Sequence, residues 1–115
     1  MAYKFKSRAT ADLIMLDETG KQIMKILGKT PGEPGIVTVQ QIPEAIAALE
    51  VAVAEDDARR KQIEADRQSE DPEASKDAAE IGSELGSVTL RQRVAPLLEM
   101  LKRSAAENKD VIWER

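Results

Sequence analysis

The segment between Ala54 and Glu80 constrains the fold of this 115-residue chain more than any other feature. It carries ten acidic and five basic residues, and Ile63 is its only large apolar side chain. A stretch with so little apolar surface cannot offset its own ordering entropy, so it cannot build a core by itself. We therefore expect a single domain, residues 1–115, whose core comes from two flanks, residues 1–53 and 87–115.

The same segment accounts for the acidity of the chain. Its net charge is −5, whereas the remaining 88 residues hold eleven acidic and twelve basic residues and have a net charge of +1. We expect residues 54–68 to form a charged helical extension and residues 69–86 to form a flexible acidic linker. The extension is favoured by acid-before-base pairs at i,i+4 spacing, each worth about 0.2–0.5 kcal/mol. These pairs are Glu55–Arg59, Asp56–Arg60 and Asp57–Lys61.

The chain lacks cysteine and histidine. The first absence excludes disulfides, thiol catalysis and cysteine-ligated metal sites. The second removes the commonest general base and metal ligand. No nucleophile elbow or phosphate-binding loop is present, since Gly82–Gly86 matches neither pattern. We therefore expect no enzyme and no cofactor, and the absence of any apolar run near the ~20 residues of a membrane span predicts a cytoplasmic protein.

Short apolar patterns near both ends of the chain predict an antiparallel sheet. Tyr3–Lys6 alternates apolar and basic residues, as a strand with one buried face does. The continuous apolar run Leu13–Leu16 predicts a second, more covered strand that forms a hairpin with the first. Val111–Trp113 predicts a terminal strand that returns to this hairpin. The result is a three-stranded sheet, with Ile36–Val37 as either a short fourth strand or an extended lead-in.

Three capping boxes mark the starts of predicted helices. They begin at Thr19, Thr38 and Thr89, each with glutamine three residues later. We predict helices near residues 20–28, 43–67 and 90–106, the first ending at Gly28 in the left-handed conformation. Pro96 predicts a kink or break in the last helix. The fold class is thus α+β, a small antiparallel sheet packed against three helices.

Several segments together resemble a family of short bacterial proteins. They are YKFKS, DLIML, ILGK, IPEAIAALE and VTLRQR…PLLEML, closed by VIW. The chain is similar in these segments to a proteobacterial family whose domain has no known function. The resemblance covers both flanks and leaves out the acidic middle. It implies a compact bacterial domain and implies no catalytic residue, cofactor or site.

Basic residues in two places form a candidate site for anions. Lys4 and Lys6 lie on the first predicted strand, and Arg91 with Arg93 lies near a helix N-terminus, where free amides favour an anion. This set could bind a small anionic ligand or, weakly, nucleic acid. The structural alternative is that the bases form a solvated surface and pair with carboxylates. With only three aromatic residues in the chain, stacking platforms for bases are scarce, and nucleic acid is not the expected partner.

The function that the sequence favours is a non-catalytic protein-interaction or accessory module. Its candidate partner surface is the helical extension, which carries both charges and has no predicted core beneath it. The competing interpretation is a solvated tether between the two flanks. We expect a monomer or a weak homodimer, since the sheet edges could pair between copies. The residues of this surface are Glu55, Asp56, Asp57, Arg59, Arg60 and Lys61.

Overall fold

A computed structural model describes residues 2–68, 72–73, 76 and 88–114. The structure has four strands and three helices whose two ends both lie among the described residues, which confirms the predicted α+β class. The predicted linker, residues 69–86, lies almost wholly outside the described residues. The strands are β1 (Ala2–Ser7), β2 (Leu13–Leu16), β3 (Gly35–Val37) and β4 (Val111–Glu114), and the helices are α1 (Asp17–Leu27), α2 (Ile42–Arg67) and α3 (Leu90–Ala106).

The backbone divides into two compact units. The first comprises Met1–Val51 and Val94–Arg115, and the second comprises Ala52–Arg93. The first unit contains the whole sheet together with α1. No helix of the described part of the chain has the length and hydropathy needed to cross a membrane.

The sheet is antiparallel throughout, with strand order β2-β1-β4-β3. The predicted hairpin is β1–β2, and the terminal strand β4 does return to it by pairing with β1. The fourth strand is present, because β3 pairs with the outer side of β4. The sheet is open, so that β2 and β3 are its two edges.

One face of the sheet carries the core of the first unit. Tyr3 and Phe5 of β1 are buried, and the ring of Phe5 lies 5.9 Å from that of Trp113 on β4. Period-2 alternation places every second side chain of a strand on the same face. Helix α1 packs against β1 and β2, and the longer helices add their own apolar side chains. The fully buried apolar residues of the helices are Ile23, Met24, Ile42, Leu49, Val94, Leu97 and Leu101.

Helix α1 begins three residues earlier than the capping box at Thr19 predicts. Its N-cap is Leu16, and Asp17 and Glu18 occupy its first turn, where carboxylates favour the positive end of the helix dipole. Gly20 therefore lies inside the helix. It is needed there because a Cβ at this position would overlap the buried ring of Tyr3. The capping box predicted at Thr19 was wrong, because the close approach of the Tyr3 ring fixes Gly20 inside the helix.

Two helices end in the same way. The amide of Gly28 donates to the Lys25 carbonyl, and Lys29 donates to Met24 over 2.8 Å. At the end of α3, Asn108 replaces glycine and Lys109 donates to the Ser104 carbonyl over 2.8 Å. Both Gly28 and Asn108 have positive φ, as this terminating motif requires. The prediction for Gly28 is confirmed.

The other two capping boxes are present. Thr38 and Gln41 cap a short 3₁₀ turn that leads into α2 with Pro43 in its first turn, and Thr89 and Gln92 satisfy each other's amides at the start of α3. Helix α3 runs unbroken through Pro96, so the predicted break does not occur. Proline removes one hydrogen bond of the helix, and the buried side chains on either side of it hold the remaining turns in place.

We expect Gly20→Ala to destabilise the protein although alanine is the better helix former. Alanine gains about 1 kcal/mol in intrinsic propensity. Overpacking against the ring of Tyr3 costs about 1–3 kcal/mol, because the ring is fully buried and its hydroxyl accepts a hydrogen bond from the Gly32 amide over 2.7 Å. Urea unfolding measures the difference.

The control for this experiment is the same substitution in a Tyr3→Leu background. There the ring is gone, and the double-mutant cycle should show that most of the penalty of Gly20→Ala has disappeared. An equal penalty in both backgrounds would show that Tyr3 is not its cause.

Candidate functional site

The second face of the sheet, here called the open face, is exposed and carries four large aliphatic side chains. Their exposed fractions are 68% for Ile14, 77% for Leu16, 42% for Ile36 and 45% for Ile112. The first two lie on edge strand β2, Ile36 lies on the opposite edge strand β3, and Ile112 lies on central strand β4. Isolated exposed aliphatic side chains are ordinary, but four on one face of a small sheet suit a protein contact.

Charged residues occupy the middle of the open face. Lys6 on β1 pairs with Glu114 on β4 at 2.9 Å, and Lys4 pairs with Asp12 at 3.5 Å. The Lys6–Glu114 pair is diagonal, since Lys6 lies opposite Ile112. Asp12 directly precedes β2, where Lys4 lies opposite Ile14. The cluster of two lysines and two carboxylates has no net charge. The two ion pairs are therefore electrically balanced, and both edge strands carry exposed aliphatic side chains.

The ion pair between Lys6 and Glu114 shifts the pKa of both groups. The hydrogen bond from Lys6, followed by its positive charge, lowers the pKa of Glu114 below the usual 4.5. The same hydrogen bond and the charge of Glu114 raise the pKa of Lys6 above 10.5. Both groups are exposed, so the pair fixes the orientation of two side chains more than it stabilises the fold.

Two shallow cavities adjoin the open face. One, of about 530 Å³, lies where β1 ends and β4 begins, and its charged lining residues are Lys6, Arg8, Lys109 and Asp110. The other, of about 400 Å³, is lined mainly by apolar atoms and includes Pro34, Gly35, Ile112 and Trp113. Of the predicted anion-binding residues on β1, Lys6 thus borders a cavity while its ammonium group is paired with Glu114.

Trp113, on the terminal strand, lies in the core. It is 3% exposed, and its indole nitrogen is buried without a hydrogen-bond acceptor in the part of the chain that the structure describes. The edge of the indole lies against Gly35 of the neighbouring strand. Trp113 therefore contributes packing rather than an exposed contact for a partner.

In the second unit, carboxylates of α2 hold the start of α3. Asp56 accepts hydrogen bonds from the Arg60 side chain at 2.8 Å and from the Leu90 amide at 3.1 Å. Arg60 also donates to the carbonyl of Val88 at 3.2 Å. Asp57 accepts a hydrogen bond from the side chain of Arg91. The acids thus bind groups that are 34 residues away along the chain as well as their helical neighbours.

These contacts change the picture of the helical extension. The predicted Asp56–Arg60 pair is present, but Asp57 pairs with Arg91 and not with Lys61. Within the extension Ile63 is buried, whereas Val53 and Leu90, which are also buried in this unit, belong to the two flanks that were predicted to form the core. Glu55, Arg59 and Lys61 are exposed, and the extension as a partner surface stays a prediction.

The two predicted anion-binding arginines differ in their surroundings. Arg91 forms an ion pair with Asp57. This is the structural alternative given in the sequence analysis, in which the basic residues pair with carboxylates. Arg93 is half-buried one turn into α3. The structure describes these arginines in the second unit and the two lysines in the first, and the combined set stays a prediction. No group of three or more acidic side chains among the described residues could hold a metal ion.

The aliphatic residues of the open face were missed by sequence reasoning. The continuous run Leu13–Leu16 predicted a strand more covered than the first, whereas β2 is an edge strand with one buried residue, Met15. A signal was present, because apolar residues at consecutive strand positions must point to both faces. The number of helices in so short a chain leaves one of those faces uncovered.

Comparisons with known proteins give one match. A family model described as a domain of unknown function (DUF1840) matches residues 1–113. No curated protein and no solved structure matches the chain.

We expect Lys6→Met to raise the pKa of Glu114 toward its usual value, because the hydrogen bond and the positive charge of Lys6 hold it down. The lowered pKa means that this pair stabilises the folded state above the ordinary carboxyl range, and the contribution is lost as the pH falls through the pKa of Glu114. NMR titration of the Glu114 carboxyl carbon measures the shift.

Lys4→Met is the matched control for this titration. Lys4 acts on Glu114 through charge alone and more weakly, so its removal should raise the pKa by less. A pKa that does not respond to Lys6→Met would contradict the ion pair.

We expect Asp56→Ala to lower the free energy of unfolding by about 1–3 kcal/mol, because it leaves the amide of Leu90 and the side chain of Arg60 without their shared acceptor. Glu55→Ala, one residue earlier on an exposed position, should change stability by about 0.5 kcal/mol or less. Urea unfolding measures the free energy of unfolding of both variants. Equal effects of the two substitutions would rule out a structural role for Asp56.

Proposed function

Since the chain belongs to the DUF1840 family, a domain of unknown function, we propose its function from the described surface: it is a non-catalytic protein-association module. Its contact surface is the open face of the sheet. The observation that carries this proposal is the exposure of Ile14, Leu16, Ile36 and Ile112 on that face.

The physical support for the proposal is the free energy that a partner would recover. Burying apolar surface contributes about 25 cal/mol per Å², and these side chains are among the largest exposed aliphatic groups of the described chain. The face is also rigid, because every strand in it is hydrogen-bonded to a neighbour and the opposite side is packed on the core. A preorganised surface loses little conformational entropy when it binds.

A catalytic function has less support from the same residues. The cluster at the centre of the open face contains only paired charges, and a general base works best when its pKa lies near the operating pH. The pKa of Glu114 is lowered and that of Lys6 is raised, so both move away from neutrality. These groups are suited to orienting a contact surface.

We expect Leu16→Glu to abolish the recovery of protein partners by crosslinking from a lysate of the source organism. Leu16 is 77% exposed, so a glutamate there leaves the core intact and places a charge in the contact. The matched control is Val51→Glu, at an exposed position of α2 outside the sheet, where the exposed fraction is 58%. Recovery of the same proteins with wild type, Leu16→Glu and Val51→Glu would refute the open face as the contact surface.

A further inference from the structure

We infer that the corner of the sheet where β1 ends and β4 begins binds a small aliphatic carboxylate. Arg8 and Lys109 hold its charged end, and its apolar chain lies along Ile112. This inference goes beyond the proposed function, because it assigns a small-molecule ligand to the cavities that adjoin the open face.

The cavity at this corner has the size of a small-molecule site. Its volume of about 530 Å³ lies within the roughly 300–1,000 Å³ of ligand pockets. Its lining residues come from the end of β1, from the turn that precedes β4 and from β4 itself, so segments from both ends of the chain converge on it. All of them belong to the first compact unit.

Two cations in the lining of this cavity are available to a ligand. Among the residues that the structure describes, the side chains of Arg8 and Lys109 form no ion pair and no hydrogen bond. The third cation, Lys6, pairs with Glu114 at 2.9 Å. A guanidinium presents parallel N–H groups that match the two oxygens of a carboxylate. A carboxylate can therefore bind Arg8 without displacing a partner that the described chain already supplies.

The charge of the lining suits a single negative charge. Three basic side chains oppose one acid, Asp110, and with Glu114 counted as the partner of Lys6 the balance is +1. Asp110 is engaged within the fold, because its Oδ1 accepts a hydrogen bond from the Val39 amide over 2.9 Å. A monocarboxylate neutralises this excess, whereas a phosphate monoester, with a charge of about −1.5 to −2, exceeds it.

Hydrogen bonds to Ser104 hold the two sides of the cavity together. The Oγ of this fully buried residue lies 2.6 Å from the Oγ of Ser7, which also accepts the Ala9 amide at 3.2 Å. The carbonyl of Ser104 accepts the amide of Lys109 over 2.8 Å. Ser104 thus links the two segments that carry Arg8 and Lys109, and a preorganised site loses less conformational entropy on binding.

A second cavity adjoins the first and suits the apolar part of the ligand. It has a volume of about 400 Å³, and it shares Lys6 and Ile112 with the first cavity. Its lining is mainly apolar and includes Pro34 and Trp113. Ile112 is 45% exposed, so an aliphatic chain that lies along it removes apolar surface from water. A charged end and an apolar chain therefore fit the two adjoining cavities.

NMR titration of the full chain with four probes tests this inference. Acetate supplies the charged end alone, 1-hexanol the chain alone, hexanoate both, and inorganic phosphate a different anion, all at constant ionic strength. We expect the amides of Arg8, Lys109 and Ile112 to report a dissociation constant for hexanoate of about 1 mM. Each fully buried methylene contributes about fourfold in affinity, so hexanoate should bind at least about tenfold more tightly than acetate.

The other two probes should also bind at least about tenfold more weakly than hexanoate, because the alcohol lacks the charge and phosphate lacks the chain. Hexanoate that binds no more tightly than any one of the other three probes would overturn the inference.

Charge variants test the two cations. Arg8→Gln and Lys109→Gln should each weaken hexanoate binding about tenfold, because each removes a charge-assisted hydrogen bond. The matched control is Lys25→Gln, which removes the same charge from an exposed position of α1 outside the cavity and should leave binding unchanged. Equal weakening by all three substitutions would indicate general attraction to the protein surface and would refute the site.

Ile112→Thr tests the position of the chain. Threonine keeps the β-branch that suits a strand but replaces an apolar group with a hydroxyl. Hexanoate should therefore bind about threefold more weakly, while acetate should bind as it does to wild type. Unchanged hexanoate binding would contradict the contact with Ile112.

Discussion

The pairing of β1 with β4 is the interaction on which the rest of the structure depends. It joins residues from the two ends of the chain at the centre of the sheet and sets Phe5 beside Trp113. Each central strand then supports one edge strand, β2 on β1 and β3 on β4. Closing so long a loop has an entropic cost that grows only slowly with its length, so a charged, weakly apolar middle is tolerated.

The pairing of β1 with β4 also explains why the two faces of the sheet differ. Its register fixes Tyr3, Phe5, Val111 and Trp113 on the face that the helices cover. A shift of β4 by one residue would turn Val111 and Trp113 toward the other face of the sheet, so the register is strongly specified. The same register places Lys4, Lys6 and the aliphatic residues on the open face, opposite the core, so the core of this unit cannot bury them. The exposed aliphatic face is thus a consequence of how the core is satisfied.

The accuracy of the sequence predictions depended on how local each signal was. Capping boxes at Thr38 and Thr89 and the turn at Gly28 were predictable, because their hydrogen bonds lie within a few residues. The start of α1 was not, because the position of Gly20 depends on Tyr3, which is distant in sequence. The open face was missed for a related reason: the pattern of β2 shows apolar residues on both faces, but only the packing of the folded sheet shows that one face has no cover.

The second unit shows how an acidic segment can fold without a large apolar core. Asp56 satisfies the amide of Leu90, and Asp57 holds Arg91, so carboxylates supply contacts that apolar side chains supply elsewhere. Charge-assisted hydrogen bonds of this kind are stronger than neutral ones, and Asp56 is largely shielded from water by its partners. Carboxylates committed to internal donors are poor candidates for binding an outside partner, because each external contact would have to replace one already made. The exposed charges that are free of this constraint, such as Glu55 and Lys61, lie on a solvated helix surface where single ion pairs contribute little. The balance of these terms favours the aliphatic open face over the charged helix as the proposed contact surface.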